Sequence, residues 1–313
     1  MCALPVRPER RRVWRPGREV DLEATWGPLR RGAGDPTWRR RGHWLFRGIS
    51  TSTGCATLAV SVRTSPGEVL AQAWGEPEVV DRLLHRLPAM LGEGDDPSGF
   101  RVRHPALRRV HLARPGWRVP RTGLVMESLI PAIVEQKVTG AEAFAGQRRL
   151  VRRFGAPAPG PGAAMGLYVP PTPAQVARIA SWEWLRMGIS PQRSDTVMRV
   201  VRMADRLEEL ALLDAERASR RLRAVPGVGL WTVAETAQRA LGHADAVSFG
   251  DYHVAKNIGY ALTGEPRDDA GLAELLAPYA PHRYRVQRLV ELGRFSPERR
   301  GPRMSVPSHL PTR

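Results

Sequence analysis

At 313 residues, 42% of them hydrophobic, the chain is long enough for two cored domains and too apolar to be disordered throughout. A formal net charge of +17 points to a polyanionic partner; codon bias explains why all 48 basic residues except Lys137 and Lys256 are Arg, but not the excess of positive charge. Cys2 and Cys55 are the only cysteines, which excludes a disulfide framework, and no run approaches the ~18 apolar residues of a membrane span or forms a signal-peptide core. The expectation is a soluble cytoplasmic protein with no membrane partner.

Residues 1–19 are rich in Arg and Pro and read as disordered. Period-2 patterns at 21–26, 44–49, 56–62 and 68–74, with Ser65-Pro66-Gly67 as a turn, predict an antiparallel sheet with one buried face. Pro77 opens a helix whose apolar stripe is Val79, Val80, Leu83, Leu84 and Leu87, and an acidic loop at 92–99 follows; 20–112 is thus a small α+β domain. From 113 to 295 the pattern is all-α. A helix runs from Met126 to Phe154 with a break near Thr139-Gly140, and the Pro/Gly-rich segment 155–171 reads as a surface loop. Thr172-Pro173 and Ser190-Pro191 mark helix starts, the second followed by a core stripe of Val197, Val200, Val201, Ala204 and Leu207. Trp182 and Trp184 read as core. Further helices begin at about Asp214 and lie at about 230–241, 252–262, 268–277 and 282–293, before a basic tail, 296–313, that reads as disordered.

The chemistry gathers between Leu222 and Tyr252. Val225-Pro226-Gly227-Val228-Gly229 joins two helical segments; its glycines can take positive φ and admit a close backbone approach. Their N–H groups and the start of the helix at Leu230-Trp231-Thr232 suit a phosphate diester. Asp251 follows at the mouth of another helix, where its bland reading is an ordinary N-cap.

The run Val225-Pro226-Gly227-Val228-Gly229-x-Trp231-Thr232, with Asp251-Tyr252 about twenty residues on, resembles the helix-hairpin-helix-Gly/Pro-Asp DNA glycosylases. Residues 113–120, Ala132-Ile133-Val134-Glu135-Gln136, 171–173 and 185–188 occur in the order found in the bacterial 3-methyladenine DNA glycosylase II branch, and the resemblance spans roughly 20–293. It implies a helix-hairpin-helix glycosylase fold behind a small antiparallel sheet domain, acting on damaged bases in double-stranded DNA; a monomer is the default expectation. The carry-over makes Asp251 catalytic. It puts Trp231, Tyr252 and Gln136 at the base pocket and Val225, Pro226, Gly227, Val228, Gly229 and Thr232 against DNA. No cofactor is implied for the chemistry, although a monovalent cation on the hairpin carbonyls is.

Cleaving an N-glycosidic bond builds positive charge on deoxyribose, which a carboxylate beside C1′ stabilises while orienting water. Lyase-type relatives hold a nucleophilic lysine where this chain has Trp231, so hydrolysis without strand cleavage is expected. Two cysteines cannot supply the ligand set of the family's iron–sulfur subgroup.

Three positions depart from the pattern. Glu235 stands where the branch has an aromatic; it is either a surface glutamate or a pocket acid. Glu291-Leu292 fall where two more aromatics are expected. Lys137 replaces the leucine wedge, to plug the base stack or to meet a phosphate. Arg283, at the start of the last helix, is a candidate DNA contact or a support for Asp251, and His253 points away from Asp251. Two alternatives remain: a non-catalytic DNA-binding or lesion-sensing protein, and a glycosylase for deaminated or oxidised bases.

Overall fold

Five strands build the N-terminal unit of the computed structural model, which describes residues 9–63 and 67–298. They are β1 (Arg10–Trp14), β2 (Trp38–Arg41), β3 (Trp44–Thr51), β4 (Gly54–Arg63) and β5 (Glu68–Gly75), all antiparallel in the order β1-β5-β4-β3-β2. Strands β3, β4 and β5 lie where period-2 patterning put them. Residues 10–14 do not follow the disorder expectation: β1 pairs along β5 with Trp14 opposite Val69, and Trp14 is buried. Residues 21–26 are not a strand either. They form α1 (Leu22–Trp26), because Asp21 Oδ1 caps Ala24 N–H at 2.9 Å and a helix turn buries Leu22, Ala24, Thr25 and Trp26 together. Residues 1–8, Ser65 and Pro66 of the expected turn, and 299–313 of the expected tail lie outside the described residues.

Helix α2 (Pro77–Met90) presents the expected stripe, and Val79, Val80, Leu83 and Leu87 pack on the inner face of the sheet with Trp26, Trp38, Leu58 and Val60. Then come α3 (Pro105–Leu112), α4 (Val125–Val134) and α5 (Gly140–Phe154), where Thr139 and Glu142 form a reciprocal capping box at the expected break. The segment 155–171 is not a bare surface loop. It forms β6 (Ala156–Pro157), α6 (Pro161–Ala164) and β7 (Tyr168–Val169), and it covers the outer face of the sheet. Ala158, Leu167 and Val169 pack there on Trp44, Phe46 and Trp74, and Thr57 Oγ1 donates to Pro159 O at 2.7 Å. Gly48 in β3 lets β7 approach where a Cβ would strike the Tyr168 carbonyl. Both sheet faces are therefore buried, against the expectation of one.

The remaining helices are α7 (Pro173–Val176), α8 (Ser181–Arg186), α9 (Pro191–Val201), α10 (Ala204–Glu208), α11 (Ala215–Arg223), α12 (Leu230–Thr236), α13 (Val254–Thr263), α14 (Asp269–Leu276) and α15 (Arg283–Leu292). Buried residues of α4, α9, α11 and α12 make one core, in which Leu129, Ile133 and Val200 each contribute about 1.5–3 kcal/mol. Glu208 of α10 closes the N-terminus of α4 by accepting from Val125 N at 3.0 Å and Met126 N at 2.9 Å. A second core joins α13, α14 and α15 to Phe100 and Leu107. Residues 100–112 thus pack with the C-terminal helices rather than with the sheet. Trp184 is buried as expected, whereas Trp182 is 61% exposed. Among the described residues no helix is long and apolar enough to cross a membrane.

Candidate active site on the hairpin

Helices α11 and α12 meet at a type II turn. Val228 N–H donates to Val225 O at 3.0 Å, Pro226 supplies the fixed φ, and Gly227 takes φ +91°. Only Gly227 uses the left-handed region; Gly229, expected to share it, is extended at φ −84° and serves as N-cap of α12. A Cβ on Gly227 would lie 2.5 Å from Thr196 Oγ1, so the turn sits hard on α9. Val225 and Val228 are core residues, which leaves Pro226 and Gly227 as the exposed tip.

Three hairpin carbonyls already have donors. Val225 O takes the turn bond, Pro226 O accepts from Arg199 NH1 at 2.7 Å, and Gly227 O accepts from Gln136 Nε2 at 3.0 Å. The cation implied by the resemblance therefore meets carbonyls that are already hydrogen-bonded. Gln136 Nε2 also donates to Thr232 Oγ1 at 2.8 Å. These two bonds hold the Gln136 amide on the hairpin and on α12. They also turn the Thr232 hydroxyl inward, with only 1% of that residue exposed.

Asp251 lies across from α12 in the loop ahead of α13. Its Oδ2 accepts from Trp231 Nε1 at 3.0 Å, and its Oδ1 accepts from His253 N at 2.7 Å and Val254 N at 3.1 Å. Backbone donors ahead of α13 thus take one oxygen of Asp251, and the Trp231 indole takes the other. The His253 ring is not engaged with Asp251 and packs edge-on against Tyr252, 4.9 Å between centroids. Tyr252 is 73% exposed, with Lys256 Nζ 3.6 Å from its ring centroid.

Glu235, one turn below Trp231, is buried, so the surface reading fails. Its Oε1 accepts from Ser248 Oγ at 2.6 Å and its Oε2 pairs with Arg239 NH1 at 2.8 Å. Arg239 lies in a π-helical turn, Ala237–Leu241, that continues α12, and its Nε reaches back to Pro28 O of the N-terminal unit at 2.8 Å. A second buried pair flanks the first: Arg31 Nε lies 3.0 Å from Glu135 Oε1. Burial pushes the Glu135 carboxyl up and the Arg31 guanidinium down from their ordinary values. Glu291 stays at the edge, 39% exposed, accepting from Gln287 and Arg288. Lys137 is exposed in the turn after α4 and takes φ +54°, a conformation that costs a non-glycine residue free energy. Arg283 is committed elsewhere, to Asp245 through Nε at 2.9 Å and NH2 at 2.6 Å. That pair steadies the loop leading to Ser248 and raises the Arg283 value further.

Arg31, Arg239 and Ser248 were not among the sequence candidates, and Glu135 stood only within the family-like run 132–136. The i,i+4 spacing of Glu235 and Arg239 was the one visible signal, and burial is what made it matter.

The fold superposes on those of solved structures. A 3-methyladenine DNA-glycosylase from Archaeoglobus fulgidus aligns with TM-score 0.74 at 18% identity, covering 91% of this chain and 99% of that one. An 8-oxoguanine glycosylase/lyase from Clostridium acetobutylicum aligns with TM-score 0.65 at 13% identity, covering 92% and 98%. The fold is that of the helix-hairpin-helix DNA glycosylases. In sequence, 162 residues, 50% of this chain, are 32% identical to the probable bifunctional transcriptional activator/DNA repair enzyme AlkA of Mycobacterium tuberculosis, in each of two strains. That stretch is 32% of the relative, so the chain spans about a third of the length of the curated proteins it matches. No protein-family model matches the chain.

Proposed function

We propose that the protein is a monofunctional DNA glycosylase that hydrolyses the N-glycosidic bond of alkylated or otherwise modified bases in duplex DNA and leaves an abasic site. The observation that carries this is the orientation of Asp251: three donors fix both oxygens beside a hairpin built to seat a phosphate backbone. With the DNA backbone on Pro226-Gly227, the flipped nucleotide brings C1′ toward Asp251. The carboxylate stabilises the positive charge that develops on the sugar and orients the attacking water. The two M. tuberculosis relatives, named as DNA repair enzymes, support the reading.

Hydrolysis without strand scission follows from Trp231, whose indole cannot form a Schiff base. Lys137 in its left-handed turn is the group offered to the gap left by the flipped base, and the net charge of +17 supplies the backbone attraction. The chain acts as a monomer on one lesion at a time. Asp251→Asn tests the mechanism: duplex affinity and melting temperature stay at wild-type values while base release falls by about 10²-fold or more. Full excision by that variant refutes it, and so does a covalent adduct trapped on the wild type with borohydride. Salt-sensitive binding with no release of any base would leave a DNA-binding or lesion-sensing protein instead.

A further inference from the structure

Asp251 closes a second tight turn, and that turn is anchored at its first residue. Asp251 N–H donates to Ser248 O at 3.2 Å across Phe249 and Gly250, and Gly250 takes φ +83°, the left-handed value that a type II turn needs at its third position. Where Ser248 sits therefore decides where the Asp251 carboxylate projects. Ser248 is 1% exposed, and three elements converge on its hydroxyl. Oγ donates to Glu235 Oε1 of α12 at 2.6 Å, and it accepts from Gln238 Nε2 of the π turn at 2.9 Å and Gln287 Nε2 of α15 at 3.2 Å. Ser248 N–H adds a bond to Gln287 Oε1 at 3.1 Å. Further along the turn, Gly250 N–H donates at 2.8 Å to Oδ2 of Asp269, the exposed first residue of α14.

We infer that the 248–251 turn is the mount that places Asp251 for the reaction, with Ser248, held by Glu235, and Asp269 as its positioning residues. This rests on the glycosylase reading of Asp251 above and deepens it. Helix α12 grips the acid twice. Trp231, in its first turn, bonds Oδ2 directly, and Glu235, one turn below, holds the residue that starts the Asp251 turn. The first hold sets the direction of the carboxylate; the second sets its place. Because α12 is capped by Gly229 of the hairpin, the phosphate seat and the acid are referred to one rigid helix. That matters because a shift of about 1 Å between reacting groups can cost about 10²-fold in rate.

The surroundings of Glu235 suit it to this task. Arg239 pairs with its Oε2 at 2.8 Å and ties the same network to Pro28 O of the N-terminal unit at 2.8 Å, so both units back the hold on Ser248. A carboxylate accepts a hydroxyl bond about twice as strong as a neutral acceptor does. With one proton given and two lone pairs filled, the Ser248 hydroxyl has nothing left to offer a substrate. Its influence on the chemistry runs through the backbone of the turn.

The test is single-turnover base release from a methylated duplex by the full chain, with duplex affinity measured alongside, below the melting temperature of every variant. Ser248→Ala leaves Glu235 its pair with Arg239, Gln238 its bond to Ala246 O and Gln287 its bond to Glu291. It should slow release about tenfold while affinity stays within about twofold. Asp269→Ala removes the hold on Gly250 from the exposed side, without opening the core, and should slow release about three- to tenfold. In an Asp251→Asn background neither substitution should add more than about a twofold loss, because a group that acts through the carboxylate has nothing to place once it is gone. General damage to the fold would instead slow that background by the same factor. Wild-type release by either folded variant, or equal losses with and without the Asp251 carboxylate, overturns the inference. If Ser248→Ala does not fold, Asp269→Ala decides. Wild-type release by Asp251→Asn alone removes the glycosylase reading and this inference with it, whereas a slow Asp251→Asn beside an unimpaired Ser248→Ala removes only the mount.

Discussion

Replacing Arg239 by methionine strands Glu235 inside the protein, and the cost can be worked from its contacts. Only 10% of either side chain is exposed. Arg239 supplies a 2.8 Å pair to Glu235, a 2.8 Å bond to Pro28 O and a 2.7 Å bond to Glu235 O. Removing one partner of a buried pair costs about 3–5 kcal/mol, because the other charge stays behind without compensation. Pro28 O keeps its 3.2 Å bond from Arg31 NH1 and Glu235 keeps its bond from Ser248, so neither adds to that cost. Arg239→Met should therefore lose about 3–5 kcal/mol in equilibrium urea unfolding followed by tryptophan fluorescence. Adding Glu235→Gln keeps an acceptor for Ser248 and removes the stranded charge, so the double variant should regain about 2 kcal/mol. A single variant within about 1 kcal/mol of wild type, or a double variant less stable than the single, refutes the reasoning.

Three further outcomes are expected. Trp231→Phe removes one donor from Asp251 Oδ2 and leaves the two on Oδ1; a charged hydrogen bond is worth about 1.5–3 kcal/mol, so single-turnover base release should slow about 10- to 150-fold at unchanged melting temperature. Lys137→Gly relieves a left-handed residue by about 1 kcal/mol, so unfolding should show equal or higher stability while lesion-duplex affinity drops and its salt slope shrinks by about one. Burial raises Glu135 above its ordinary 4.5, so the folded chain binds that proton more tightly than the unfolded chain. The resulting stabilisation is complete below 4.5 and is lost as pH rises through the folded value. Glu135→Gln should flatten that loss, gaining on the wild type in urea midpoint between about pH 5 and 8.

The helical half was legible because its signals are local. Thr139, Thr172 and the Pro-Gly turn each act within a few residues, and the structure puts helix boundaries where those residues fall. The N-terminal half was less so. Asp21 caps a helix that alternation disguised as a strand, and β1 exists only because β5, some sixty residues on, offers an edge and a pocket for Trp14. In the site, Asp251 and Trp231 were visible through the hairpin and do meet, at 3.0 Å. Gln136, Thr232 and Arg283 were visible as residues but not as roles. Their partners, Gly227 O and Asp245, are choices of side-chain direction that no spacing encodes. The paired charges under Trp231 were hidden for a related reason: a charged residue in sequence reads as exposed until a distant opposite charge, such as Arg31 for Glu135, is folded onto it.

The cover on the outer face of the sheet has a consequence for how the chain is made. Trp44, Phe46 and Trp74 are buried by Ala158, Leu167 and Val169, and Thr57 waits for Pro159, 102 residues downstream. During synthesis the sheet emerges from the ribosome well before its lid, with an aromatic surface bare for the time needed to add about a hundred residues, roughly 5–20 s. The N-terminal unit is therefore a dependent of the helical one in time as well as in space. Truncation ahead of 155–171 should yield aggregates rather than a soluble sheet domain.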